Sequence, residues 1–148
     1  SGLDEADPDR ALWGALAEWR RWSTVATLAP YWLRLDQAAD PAAGRGRRRI
    51  HTIGARAFGP AGTTGFDYDL NAAWQTGHDG PANHRSFFGV AEVGYTWDVA
   101  WRPRLSGLYL QAGGDADPAD NRSGRFERLF GFARPLSASD YFQIENLR

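Results

Sequence analysis

The chain has 148 residues and a formal net charge of -1, so it carries no global field that would draw nucleic acid or an anionic surface. Cysteine is absent, which excludes disulfides, thiolate metal sites and thiol catalysis. Aromatics make up 14% of the residues and Gly numbers 17, a combination that favours many short strands joined by tight turns over a helical bundle.

The size fits one domain spanning residues 1 to 148. All 17 residues of the Lys and Arg class are Arg, which reads as a bias of base composition or, as the alternative, as selection for planar, bidentate anion recognition. The start Ser1-Gly2-Leu3-Asp4 has neither an initiator Met nor an apolar leader, and the end at Asn146-Leu147-Arg148 falls where an apolar pattern resumes, which reads as an internal piece of a longer protein. No apolar run approaches the roughly 18 residues of a membrane helix, and this excludes helical spanning only.

Residues 4 to 10 read as an acidic loop. Over residues 12 to 21, Trp13, Ala15, Ala17 and Trp19 alternate with Leu12, Gly14, Leu16, Glu18 and Arg20, a strand pattern that a helix also accommodates. Residues 22 to 36 are β-favouring by composition, with Pro30 marking an irregularity in pairing. Residues 37 to 48 read as a loop ending in the basic cluster Arg45, Arg47, Arg48 and Arg49, either a solvated edge or an attraction for anionic polymer or lipopolysaccharide phosphates. Alternation resumes over residues 49 to 58, and Gly59-Pro60-Ala61-Gly62 makes a tight turn.

The clearest segment is 66 to 75. Phe66, Tyr68, Leu70, Ala72 and Trp74 fall on one side, and Asp67, Asp69, Asn71, Ala73 and Gln75 on the other. Such a ten-residue strand, tilted near 45°, rises about 23 Å, close to the roughly 25 Å apolar band of an outer-membrane barrel. Residues 77 to 86 read as a polar loop whose His78, Asp79 and His84 match no ligand motif. Residues 87 to 97 and 102 to 112 alternate again, linked through 98 to 101. The long connection 113 to 139 holds Asp115, Asp117 and Asp120, a weak calcium candidate that lacks the spacing of an EF-hand. Within it, residues 125 to 131 read as a short element, and 141 to 147 begin another strand. Short links near 21 to 23, 59 to 64 and 98 to 101 then alternate with longer ones near 37 to 48, 77 to 86 and 113 to 139, as periplasmic turns and extracellular loops do.

In its segments Thr52-Ile53-Gly54-Ala55-Arg56, 66 to 77, Gly94-Tyr95-Thr96-Trp97, Pro103-Arg104-Leu105, Gly114-Asp115-Ala116-Asp117-Pro118 and Asn146-Leu147, in that order, the chain resembles the alginate-export family of outer-membrane β-barrels. The resemblance implies a monomeric, porin-sized barrel through which an anionic uronate polysaccharide leaves the periplasm, with outer-membrane lipid and periplasmic export machinery as partners and no cofactor. The expected fold is all-β, an antiparallel transmembrane β-barrel fragment supplying about six to seven strands of a larger porin-like barrel, which needs roughly 16 to 18.

With the apolar faces against lipid, Arg56, Asp67, Asp69, Asn71, Gln75, Glu92 and Arg104 are expected to point into the lumen. Arg56 and Arg104 suit carboxylate contacts, because guanidinium binds carboxylate in a bidentate way, and Asp67, Asp69 and Glu92 pair with them or tune selectivity. Interstrand salt bridges with a purely structural role use the same residues. Phe66, Trp74, Tyr95 and Trp97 fit aromatic girdles. Two other classes stay open: a soluble lipocalin-like barrel with the apolar faces turned inward around a small apolar ligand, and a carboxylate-based glycosidase using two of Asp67, Asp69 and Glu92. No Ser-His-Asp, metal or phosphate-cradle constellation supports the last, and catalysis is not expected.

Overall fold

The computed structural model describes residues 9–20, 25–114 and 121–127. Among them, one sheet runs in chain order through β1 (Arg10–Leu16), β2 (Thr27–Gln37), β3 (Arg48–Pro60), β4 (Phe66–Asp79), β5 (Ala82–Thr96) and β6 (Arg104–Ala112). Each strand is antiparallel to the next. The two-residue β7 (Arg122–Ser123) adds in parallel to β5 beside Asn83 and His84, past the point where β6 ends. Among the described residues β1 pairs only with β2, and β6 only with β5, so the sheet is an open arc that does not close on itself. The chain is all-β, an antiparallel sheet of barrel-fragment type.

Pro30 illustrates how the sequence shapes this meander. The Pro30 carbonyl accepts a hydrogen bond from Ala17 N at 3.1 Å, so its missing N–H lies on the same side, just beyond the last β1 residue, Leu16. A proline there forfeits only the return bond to Ala17, at the point where the regular β1 ladder ends. β1 itself is shorter than the alternation over residues 12 to 21 predicts, and only a single bridge between Trp19 and Leu28 continues its pairing.

The central strands are longer than expected, at 13, 14 and 15 residues for β3, β4 and β5. A strand of that length tilted near 45° rises about 33 Å, more than the roughly 25 Å apolar band. The excess corrects one expectation directly. Residues 77 to 86 are not a loop: β4 continues to Asp79, β5 begins at Ala82, and Gly80 and Pro81 alone make the turn, with Gly80 at φ 60°. Their polarity marks strand that has left the apolar band rather than chain that has left the sheet. The strict alternation of short and long links falls with it, because the links at that end, 38 to 47 and 80 to 81, are not uniformly longer than 17 to 26, 61 to 65 and 97 to 103 at the other.

The 38 to 47 link is built rather than slack. Asp40 caps a 3-10 turn over Pro41–Ala43 and bridges to Arg45. The Ala43 N–H, and after it the Arg45 guanidinium, hold the Asp40 carboxyl below the usual carboxylate range.

The two faces differ sharply in the middle of the sheet. The outer face carries Trp32, Ile53, Leu70, Trp74, Val93, Leu105 and Tyr109, all exposed, with Ile53 at 65%. The polar face carries side chains that crowd one another as on the inside of a curved sheet, including Leu35, Ile50, Thr52 and Gln75 at 0% exposure. The division blurs at the margins of the arc, where Leu12, Leu16 and Leu108 share the polar face by register.

Candidate functional site

Strand alternation and register place Arg56, Asp67, Asp69, Asn71, Gln75, Glu92 and Arg104 together on the polar face. They are not spread evenly along it. Five of them form a charged band in the half that faces the 61 to 65 and 97 to 103 links, and Gln75 belongs to the opposite half.

The band is two ion-pair clusters. In the first, Arg56 on β3 donates from Nε to Asp69 Oδ1 on β4 at 2.8 Å, and its Nη2 closes a bidentate pair with Asp69 Oδ2. The same guanidinium lies over the Phe58 ring, 4.5 Å from its centroid, two residues along β3 on the same face. Among the described residues, two of the five donors of Arg56 are used on Asp69, which leaves donors for an incoming acceptor.

In the second cluster, Arg104 at the start of β6 reaches back across β5. Its Nε donates to Asp67 Oδ2 at 3.0 Å with Nη2 completing the pair on Oδ1, and Nη1 and Nη2 both lie 3.1 Å from Glu92 Oε1. Gly94 makes this possible. A Cβ at Gly94 would stand 2.6 Å from Arg104 Cζ, so the guanidinium occupies the space a side chain there would fill. The residues Gly94-Tyr95-Thr96-Trp97 and Pro103-Arg104-Leu105 are thus coupled across two strands. Asn71 stands opposite Arg56, on the side of Asp69 away from the Arg104 cluster, and accepts a hydrogen bond from Tyr31 Oη at 3.0 Å; the Tyr31 ring in turn covers Gly54 opposite it on β3.

Within this band two guanidiniums, Arg56 and Arg104, face three carboxylates, Asp67, Asp69 and Glu92. The band therefore has no surplus of positive charge; its planar cations are pinned at fixed positions by Asp67 and Asp69, which remain partly exposed to water, and by the buried Glu92.

The other half of the polar face is covered. Asn121–Glu127 folds over it: Asn83 N donates to the Asn121 carbonyl at 3.1 Å, and Phe126 N to the Gly113 carbonyl at 3.2 Å. Phe126 packs on Phe88 with ring centroids 5.3 Å apart, over a patch that includes Ala73, Val90 and Ala112. Gln75 holds the segment from beneath. Its Oε1 accepts from Glu127 N at 2.8 Å, while its Nε2 donates to the Glu127 carbonyl at 2.8 Å and to Thr52 Oγ1 at 3.0 Å. His84 contacts Gln75 and Ser123, and Arg48 pairs with both Asp79 and Glu127. Gln75 is thus on the predicted face yet fully buried beneath Glu127.

Alternation over residues 49 to 58 places Thr52 and Phe58 on the face of Arg56, as the structure does, whereas sequence reasoning missed Arg48, His84 and Glu127; extending β3 by one residue brings in Arg48. Glu127 had no signal, since only the fold of the following segment brings it over β4. His78 lies on the outer face and Asp79 and His84 on the polar face, so the three residues read together in the supposed loop are split by the sheet. Asp115, Asp117 and Asp120 lie outside the described residues, as do residues 141 to 147. Among the described residues no group of three or more His, Asp or Glu is placed to hold a metal ion, and no helix is long and apolar enough to cross a membrane, which says nothing of a β-barrel.

An antiparallel meander with one apolar exposed face and one ion-paired polar face is the wall of a membrane β-barrel in class. The family model described as "Alginate export" matches residues 1–148, the whole chain, and the chain belongs to that family, one of transport proteins of polysaccharide export rather than of enzymes. Neither the curated proteins nor the solved structures compared supply a match.

Proposed function

We propose that the polar face is one wall of a water-filled channel in the outer membrane, through which an anionic polysaccharide, alginate or a related uronate polymer, passes without covalent chemistry. The observation that carries this reading is the pair of arginine clusters, Arg56 with Asp69 and Arg104 with Asp67 and Glu92, on the face opposite the exposed aromatic and aliphatic one.

The mechanism follows from exchange. A uronate carboxylate entering the band meets guanidiniums already oriented, so it gains bidentate hydrogen bonds without the cost of ordering a long side chain. Asp69 competes for Arg56, and Asp67 and Glu92 for Arg104, so each sugar is released as readily as it is bound. Conduction needs that balance: binding favourable enough to enter and weak enough to leave. The Phe58 ring beside Arg56 offers an apolar surface to a sugar face. Periplasmic export machinery would deliver the polymer, and the segment Asn121–Glu127 would narrow the passage at the end away from the charged band.

The test is fractionation of the full-length protein. Recovery with outer membranes, with heat-modifiable migration on a gel and block of small-ion conductance by uronate oligomers, is expected. Recovery as a soluble monomer would overturn the channel reading in favour of a barrel whose apolar face encloses a ligand.

A further inference from the structure

Above the apolar part of the outer face, the overshoot of the long strands builds two lateral rows of polar residues. By register, Arg34, His51, Thr76 and Arg85 are neighbours across β2 to β5, and Asp36, Arg49, His78 and Asn83 form the row beyond them. At about 4.8 Å between strands, each row is roughly 14 Å wide. Asp36 draws Arg34 and Arg49 together, with contacts of 2.6 and 2.9 Å. Arg85 lies over the Trp74 ring, 5.2 Å from its centroid. Three guanidiniums against one carboxylate leave this rim cationic, whichever way the imidazoles of His51 and His78 are protonated.

Immediately below comes the row Trp32, Ile53, Trp74 and Phe87. Below that the side chains shrink, and a shallow depression of about 300 Å³ opens on the same face, lined by Ala55, Ala57, Ala72, Gly89, Ala91 and Tyr109. Its upper edge at Ala55 is four residues from His51, so with strands tilted near 45° the rim stands about 9 Å above it along the membrane normal.

We infer that this rim and depression together bind a phosphate-bearing membrane lipid, its headgroup between Arg49 on β3 and Arg85 on β5, with Arg34 next to Arg49 across Asp36, and an acyl chain in the depression. The inference rests on the reading that the outer face meets lipid. Charge complementarity selects the occupant: a surplus of guanidinium suits phosphate, which accepts bidentate hydrogen bonds, and repels the same rim of a second copy of this chain. An aromatic row between a cationic rim and an apolar depression matches the order of headgroup, interface and hydrocarbon in a leaflet.

The test uses the full-length protein folded in neutral detergent and titrated with phosphatidylglycerol or phosphatidylcholine of identical chains, with retained lipid counted by native mass spectrometry. At least tenfold better retention of phosphatidylglycerol is expected, reduced to the phosphatidylcholine level in the Arg49→Gln/Arg85→Gln double variant and largely kept in Arg49→Lys/Arg85→Lys. Ala72→Trp, which fills the depression away from the ion pairs, should lower retention of both lipids. Equal retention of the two lipids by a protein that shows heat-modifiable folding overturns this site alone. Inorganic phosphate stabilising the protein as well as phosphatidylglycerol does would overturn the lipid assignment. A protein that stays soluble and takes up neither lipid overturns the site together with the membrane reading.

Discussion

Arg104 lies across Gly94: the guanidinium on β6 fills the space above a glycine on β5, with an added Cβ placed 2.6 Å from Arg104 Cζ, and from there reaches Asp67 on β4 and Glu92 on β5. A backbone choice on one strand thereby fixes a charge on another. Gly94→Val should displace Arg104 while leaving the sheet paired, because what must move is the far end of a flexible side chain. The expected outcome is a shift in ion selectivity in the same direction as Arg104→Gln, with folding intact by heat-modifiable migration. Unchanged selectivity would show that the position of Arg104 does not depend on Gly94.

Leu70 and Asn71 are adjacent in sequence and on opposite faces. By register, Leu70 lies in the row of Ala57 and Ala91, between the Trp74 row and the Phe66 and Tyr95 row, which puts it near the middle of the apolar band. Leu70→Arg is expected to cost about 2–4 kcal/mol, the penalty of a cation at the midplane on the lipid side, whereas Asn71→Arg should cost only about 1 kcal/mol, for the lost acceptor of Tyr31 Oη and the neighbouring Arg56, since its charge stays in water. Reversible denaturant unfolding of the full-length protein in lipid measures both. Equal costs would remove the assignment of faces to lipid and water.

Gln75 is the hinge pin of the covered half, bonded to Thr52, His84 and both backbone groups of Glu127. Gln75→Leu leaves the Glu127 N–H and carbonyl without their partner, at about 1–3 kcal/mol for each buried group so stranded. Loosening of Asn121–Glu127 is expected as faster proteolytic cleavage after Arg122 or Arg125 and a higher single-channel conductance. Wild-type cleavage and conductance in the variant would mean that the remaining contacts, those of Asn83, His84, Phe126 and Arg48, hold the segment without Gln75.

The sheet itself was legible because a period of two survives in residues 66 to 75, where every other side chain must face water and the rest must not. The same rule identified Asp67, Asp69 and Arg56 as partners on one face before their contacts were known. It failed where polarity changes for a reason other than chain direction. His78, Asn83 and Arg85 are polar on the outer face because the strands outrun the apolar band, and polarity alone makes such a stretch read as a loop. Residues 12 to 21 show the reverse error, since an alternating pattern predicts a strand of ten where the regular ladder ends at Leu16 and a single bridge at Trp19 follows. The covering of Gln75 was beyond reach, because Glu127 is 52 positions away and no periodicity links the two.

The measurement that bears most directly on the channel reading is the reversal potential of the full-length protein in planar bilayers under a salt gradient, for wild type, Arg56→Glu and Arg104→Glu. Each substitution removes a cation from the polar face and frees the carboxylates it held, so both variants should shift toward cation selectivity, with Arg56→Glu also weakening block by uronate oligomers. Reversal potentials identical to wild type in both folded variants would contradict the account, placing these arginines outside the ion path.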